Sequence, residues 1–203
     1  MNKACEFYRR LVGLYWLIKT QLFYRQILGA LGVRSRIIKP LNLRNARHIH
    51  IGSQVIIQKH SWLLTLPLLG KKTPKLVIGD GTVIGYFNHI TCVNYVEIGR
   101  KVLIADRVHI SDNGHAFVDP SIPIMDQPVV SKGPVYIGEG TWIGENVSVL
   151  SCRIGRNCVI GANAVVTHDI PDFCVAVGIP ARIIKRFDVK SGTWQQEKPR
   201  NTD

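Results

Sequence analysis

From Gly133 to Phe187 the chain reads GPVYIGEGTWIGENVSVLSCRIGRNCVIGANAVVTHDIPDFCVAVGIPARIIKRF. An aliphatic residue followed by glycine returns at Ile137-Gly138, Ile143-Gly144, Ile154-Gly155 and Ile160-Gly161. The same pairing occurs upstream at Ile51-Gly52, Ile78-Gly79, Ile84-Gly85 and Ile98-Gly99. Many aliphatics fall in strict sixes: Ile78, Ile84, Ile90 and Val96; Ile98, Ile104 and Ile110; Ile137, Ile143 and Val149; Ile154, Ile160 and Val166. Neither a helix nor an ordinary strand has that period. A hexad is the unit of a β-helix, in which three short strands close one triangular coil of about eighteen residues. The aliphatic points inward and stacks on its equivalents about 4.8 Å above and below. Gly or a small polar residue is expected at each corner, where backbone conformation is demanding.

Two segments break the rhythm, 62–73 (WLLTLPLLGKKT) and 112–134, the latter with Pro120, Pro123, Pro128 and Pro134. Long excursions from a repeat are functional or interface elements more often than filler. Val149 to Ile154 is five residues where the repeat wants six, so a tightened corner is expected near Ser151-Cys152. Residues 1–46 read as a basic amphipathic helical segment, with helix over roughly Lys3 to Leu31. The β-helix is expected over 47–187 and a polar tail over 188–203, its last ten residues loose.

Charge is concentrated at one end. Residues 1–48 carry ten Lys/Arg and one acid, +9 of a total of +12 in 203 residues. That excess suits an anionic partner, and peripheral contact of residues 1–31 with an anionic membrane is one expectation. The other is that the helix caps the open end of the solenoid, as repeats require. No aromatic-and-basic nucleic-acid module is present. Cys5, Cys92, Cys152, Cys158 and Cys174 are odd in number and form no C-x-x-C pair, which points away from a disulfide framework or structural zinc and towards a reducing, cytoplasmic setting. The longest apolar run near the start, Leu11 to Ile18, is too short to span a bilayer.

The hexads, the segment HISDNGH at 109–115 with PIMDQP at 123–128, and IGANAVVTHDIP with VAVGIPARIIKRF together resemble the hexapeptide-repeat acyltransferases over about residues 48–187. That resemblance implies a left-handed parallel β-helix, a homotrimer and acetyl-CoA as co-substrate. The branch most similar O-acetylates sugars, including bacterial surface polysaccharides. N-acetylation of an amino-sugar nucleotide is the nearest alternative, and a non-catalytic hexapeptide scaffold the alternative from another class.

His115 matches the family's catalytic histidine. A neutral imidazole suits removal of a hydroxyl proton during attack on a thioester. His109 and His89 lie within hexads and read as coil-surface residues. A zinc site from His89, His109 and His115 has the wrong spacing for the zinc-dependent relatives, so no metal is expected. Trp142 precedes inward Ile143 and therefore points out of the prism. In the family its position lines the cleft between subunits, beside the CoA arm. Thr167, His168, Arg182 and Lys185 match positions that hold the CoA phosphates, although the family usually has Lys where this chain has His168. Ala162 matches a residue whose backbone meets the pantetheine amides, and Glu145 stands where the family has Ser. On the acceptor side Asp112 is nominated, and so is Asn88, by its proximity to Gly85, the position where the sugar-acetylating relatives carry Asn. Asp112 and Asp119 flank His115, and each is either an orienting carboxylate for the imidazole or a loop cap.

Overall fold

The computed structural model describes residues 3–68 and 73–197. Its body is a three-faced parallel coil of six turns. The first face stacks Ala30–Leu31, Ile49–Ile51, Lys75–Ile78, Tyr95–Ile98, Val135–Ile137 and Arg153–Ile154. The second stacks Arg36–Ile37, Ile56–Ile57, Val83–Ile84, Leu103–Ile104, Trp142–Ile143, Val159–Ile160 and Cys174–Val177. The third stacks Asn42–Arg44, Trp62–Thr65, His89–Cys92, His109–Ser111, Ser148–Leu150 and Val165–Val166.

Register explains the period of six. On the second face Ile37, Ile57, Ile84, Ile104, Ile143 and Ile160 pair rung by rung, and all are essentially inaccessible. Ile51, Ile78, Ile98, Ile137 and Ile154 do the same on the first face. Leu63, Ile90, Ile110, Val149 and Val166 do so on the third. One coil cannot bury its own aliphatics, so the core exists only through this stacking.

The recurrent glycines have a different role from the one expected. They do not hold the left-handed corner conformation. That falls two residues later, at Gln54, Gly81, Phe87, Lys101, Gly140, Asn146, Asn157 and Asn163. The glycine is needed because successive coils touch there. A Cβ on Gly79 would sit 2.6 Å from the carbonyl carbon of Gly99, closer than atoms can pack.

Buried polar groups at the corners are satisfied by the next coil. Ser35 Oγ donates to Gly52 O at 2.6 Å and accepts from Val55 N–H at 3.0 Å. Thr82 does the same with Gly99 O and Val102 N–H, and Thr141 with Gly155 O and Cys158 N–H. Between them at this edge stand Val55, Val102 and Cys158, so hydroxyl and apolar corners alternate along the stack. Aspartates provide a second clamp. Asp80 accepts from Ser53 N–H, Asp106 from Tyr86 N–H and Asp169 from Arg153 N–H, each one coil back. Ion pairs lace two edges, Arg100–Glu139 and Arg156–Asp172 between the first and second faces, Arg107–Glu145 between the second and third.

Both excursions leave from the remaining edge, where the third face turns into the first. The earlier one is shorter than expected, because Trp62–Thr65 is a regular strand paired on both sides. Its residues 69–72 lie outside the described residues. The later one is not irregular throughout: Asn113–His115 and Val129–Ser131 form an antiparallel hairpin. The tightened corner occurs at Ser151, with φ at +48° and its N–H donating to Ser111 O.

The ends also differ from expectation. The helix runs Lys3–Lys19 (α1), continues as a π-helical turn Thr20–Tyr24 and stops at Ile27. The coil then begins at Ala30, well inside the stretch read as the helical segment, because Leu31-Gly32 is itself the first aliphatic-glycine hexad. The helical segment does cap the prism: Tyr24 of its π-helical turn and Leu28 just after its end join the core, and Ile37 N–H donates to Thr20 Oγ1 at 2.9 Å. At the far end Arg182–Asp188 folds back antiparallel on Cys174–Val177, and Thr193–Gln196 pairs with it in turn. The tail is therefore ordered sheet as far as Gln196, while 198–203 lie outside the described residues.

Candidate active site

His115 ends the first strand of the hairpin, opposite Val129, with its side chain exposed. What fixes the hairpin is its root. The fully buried Asp112 carboxylate accepts from the N–H groups of Val93, Asn94 and Tyr95 at 2.8, 2.7 and 2.9 Å, and from Asn113 Nδ2 at 2.9 Å. Asn113 Nδ2 also reaches Thr91 Oγ1 at 3.1 Å, and Lys132 N–H closes on Asp112 O. A buried charge is tolerated when donors surround it in this way. Asp112 is thus the same one-coil-back clamp as Asp80 and Asp106. It neither orients His115 nor is open to an acceptor, which corrects its nomination. Asp119 is also a loop cap. Its Oδ1 accepts from Ser121 Oγ and N–H, and those bonds, the hydroxyl's first, hold its carboxyl below the usual range.

Asn88 is corrected for a similar reason. It is buried in a corner, donating to Ala105 O at 3.0 Å and accepting from Val108 N–H at 2.8 Å, so its amide is used up between coils. Proximity in sequence to Gly85, where the resemblance would put an asparagine, was a poor guide to availability.

Trp142 points outward as its place in the hexad requires, half exposed. It belongs to a column that sequence reading missed as a set: Ile56, Val83, Leu103, Trp142, Val159 and Val175 follow one another up the outside of the second face. The signal was present, since each is the residue before an inward aliphatic or alanine. Lys185 is the next rung beyond Val175, and Arg182 is exposed on the same strand. Glu145 and Ala162 sit on successive coils at the adjoining edge, linked by Asn163 N–H to Glu145 O. Glu145 is paired with Arg107, a partner not foreseen, which offsets its charge.

Thr167 and His168 lie elsewhere. They follow Val166 at the edge between third and first faces, with Thr167 Oγ1 and His168 Nδ1 at 2.9 Å. That is the edge from which the His115 hairpin departs, two coils earlier. The proposed residues therefore divide into two groups. His115, Thr167 and His168 stand along one edge of the prism. Trp142, Lys185 and Arg182 lie on the face opposite that edge, with Glu145 and Ala162 at its border.

On the third face Trp62, His89 and His109 form a ladder, with ring centroids 4.5 and 5.2 Å apart. Burial, then the neighbouring His109, lowers the His89 imidazole from its usual value, and burial lowers His109. Both are neutral packing elements of the coil surface. Among the described residues no three His, Cys, Asp or Glu side chains gather as metal ligands.

Residues 134–168 match the family model described as bacterial transferase hexapeptide (six repeats). A Mycobacterium tuberculosis protein named as an acetyltransferase is 42% identical over 144 residues, covering 70% of this chain, and the match spans 44% of that relative's length. An Escherichia coli protein named for lipopolysaccharide biosynthesis O-acetyl transfer is 32% identical over 188 residues, 89% of each chain. Among solved structures, an N-acyltransferase from Bacillus cereus in complex with dTDP and 3-hydroxybutyryl-CoA superposes with a TM-score of 0.68 at 22% identity, covering 85% of this chain and 90% of that one. With the stacked hexads and a near full-length relative at this identity, the chain belongs to the hexapeptide-repeat acyltransferases.

Proposed function

We propose that the protein transfers an acetyl group from acetyl-CoA to a hydroxyl of a carbohydrate acceptor, in sites formed between the copies of a homotrimer of left-handed coils. The observation that carries this reading is the division of the site residues. His115 stands on one edge and the apolar column around Trp142 on the opposite face, so one prism does not bring them together. Packing the edge of one copy against the second face of the next does, and repeating that contact around a threefold axis closes a ring. The hairpin supports the same contact, because Phe117, Val118 and Met125 are largely exposed on it and need a covering surface.

In that cleft the pantetheine arm lies along the column. Its phosphates reach towards Lys185, three rungs or about 14 Å from Trp142, and towards Arg182, whose fork suits phosphate. Thr167 and His168 of the adjacent copy face them. The neutral His115 imidazole takes the acceptor proton as the oxygen attacks the thioester carbonyl. Backbone N–H groups stabilise the oxyanion. The intermediate collapses, the C–S bond breaks, and the imidazolium returns its proton to the CoA thiolate. Escherichia coli lipopolysaccharide O-acetyl transfer, the role for which one relative is named, supports a surface-polysaccharide acceptor.

Subunit mixing tests the shared cleft. His115→Ala and Leu103→Arg are each expected to be nearly inactive alone. Co-refolded in equal amounts, they should regain about a quarter of wild-type sites, because one interface in four pairs an intact edge with an intact face. Mixed trimers without recovered activity would refute a site between copies.

A further inference from the structure

The cap helix α1 buries only one side. Trp16, Thr20 and Tyr24 face the first coil. On the other side Phe7, Tyr8, Leu11, Leu14, Tyr15, Ile18 and Leu22 are each between 49% and 68% exposed. At 100° per residue the six within Lys3–Lys19 fill one continuous arc of about 120° on the side away from Trp16, and Leu22 follows in the π-helical turn. An uncovered apolar arc of this size on a surface helix marks a contact.

Cations border the arc on both sides. Arg10 flanks one margin and Lys19 the other. Beyond each margin lies a cleft against the first coil. One, of about 700 Å³, is lined by Arg10, Arg34 and Arg36 with Leu14, Leu17 and Glu6. The other, of about 520 Å³, holds Lys19 and Lys39 beside Tyr15, Trp16 and Leu41. Glu6 is the sole acid of residues 1–48 and is occupied by Arg10 at 2.9 Å.

We propose that this end of the prism docks on an anionic phospholipid surface, with the arc in the boundary between headgroups and acyl chains and the two basic clefts beside headgroup phosphates. An apolar strip between cations is the pattern of a helix that lies in an interface, and basic flanks add attraction to an anionic leaflet. A second copy is a poorer occupant, because joining two such ends would bring two +9 segments together. No helix among the described residues is long and apolar enough to cross a membrane, so the contact is one of lying on the surface.

The experiment is vesicle flotation of the full chain. Vesicles of equal parts phosphatidylserine and phosphatidylcholine are compared with phosphatidylcholine alone, at low and high salt. Wild type should float with the anionic vesicles, at least about tenfold more than with neutral ones, and release as salt screens the charges. Leu11→Glu with Ile18→Glu keeps good helix formers at exposed positions. It should melt at the wild-type temperature and lose flotation. Arg34→Glu with Lys39→Glu should lose the preference for anionic vesicles. The proposal is overturned if wild type ignores anionic vesicles at low salt, or if the double-Glu variant floats equally well. It is also overturned if wild type doubles its trimer mass without vesicles and the variant does not, since another copy would then cover the arc.

Discussion

The second face and the edge opposite it are made from the same hexads, and they differ in what happens when the repeat is obeyed or broken. On the second face every coil keeps register, so outward positions line up into a straight apolar column from Ile56 to Val175. On the opposite edge the chain leaves the repeat twice, and the second departure carries His115. Regularity supplies a groove for an extended ligand, and irregularity supplies a chemically distinct group. The break is anchored by the regular part: Asp112 holds the hairpin with the corner clamp that other aspartates use to hold coil to coil.

The largest expected effect lies on the edge. His115→Ala should lower turnover about 10²–10⁴-fold, the range for losing a general base, while melting temperature and CoA affinity stay near wild type. Activity within a few-fold of wild type would remove the chemical half of the contrast.

The next effect separates the inside of the second face from its outside. Ile104→Ala, fully inside, should cost about 2–5 kcal/mol by loss of burial and a residual cavity, measured by denaturant unfolding. Leu103→Ala, one residue earlier and half exposed, should change stability by no more than about 0.5 kcal/mol yet raise the KM for acetyl-CoA. Equal stability losses at the two positions would mean that the column is packing rather than a ligand surface.

The smallest effect concerns the third face. Burial lowers both ladder histidines, so in the folded chain they resist protonation. Above about pH 6.5 both folded and unfolded forms are neutral and the ladder adds no pH dependence. As pH falls through that value the unfolded chain gains protons that the folded chain does not, so stability declines on acidification. His89→Gln with His109→Gln should flatten that acid limb in a series of melting curves. An unchanged limb would assign it to carboxylates elsewhere.

These contrasts follow how much was legible in sequence. Ile-Gly pairs announced the coil because inward stacking and coil-to-coil contact each demand one residue type. The first coil escaped notice because Arg34, Arg36, Lys39 and Arg44 dominate its composition. Trp62–Thr65 read as a break because a continuous apolar run hides alternation. The strand Thr193–Gln196 has no buried side and so no pattern to read. Trp142 could be oriented from the hexad alone. Asn88 and Asp112 could not, since sequence places a polar group near a matched position or a loop without saying that the coil below or above already consumes its hydrogen bonds.

The alternating corners have a consequence for how such a chain changes length. Ser35, Thr82 and Thr141 each serve the coil after them, with Val55, Val102 and Cys158 receiving. Those partners are backbone groups, so deleting a hydroxyl turn alone would set receiver against receiver and leave one corner carbonyl and one corner amide of the next coil without the side chain that now bonds them. At this edge a turn with a valine or cysteine corner is the one whose loss strands no backbone group, while a serine or threonine turn has to go together with the turn it serves.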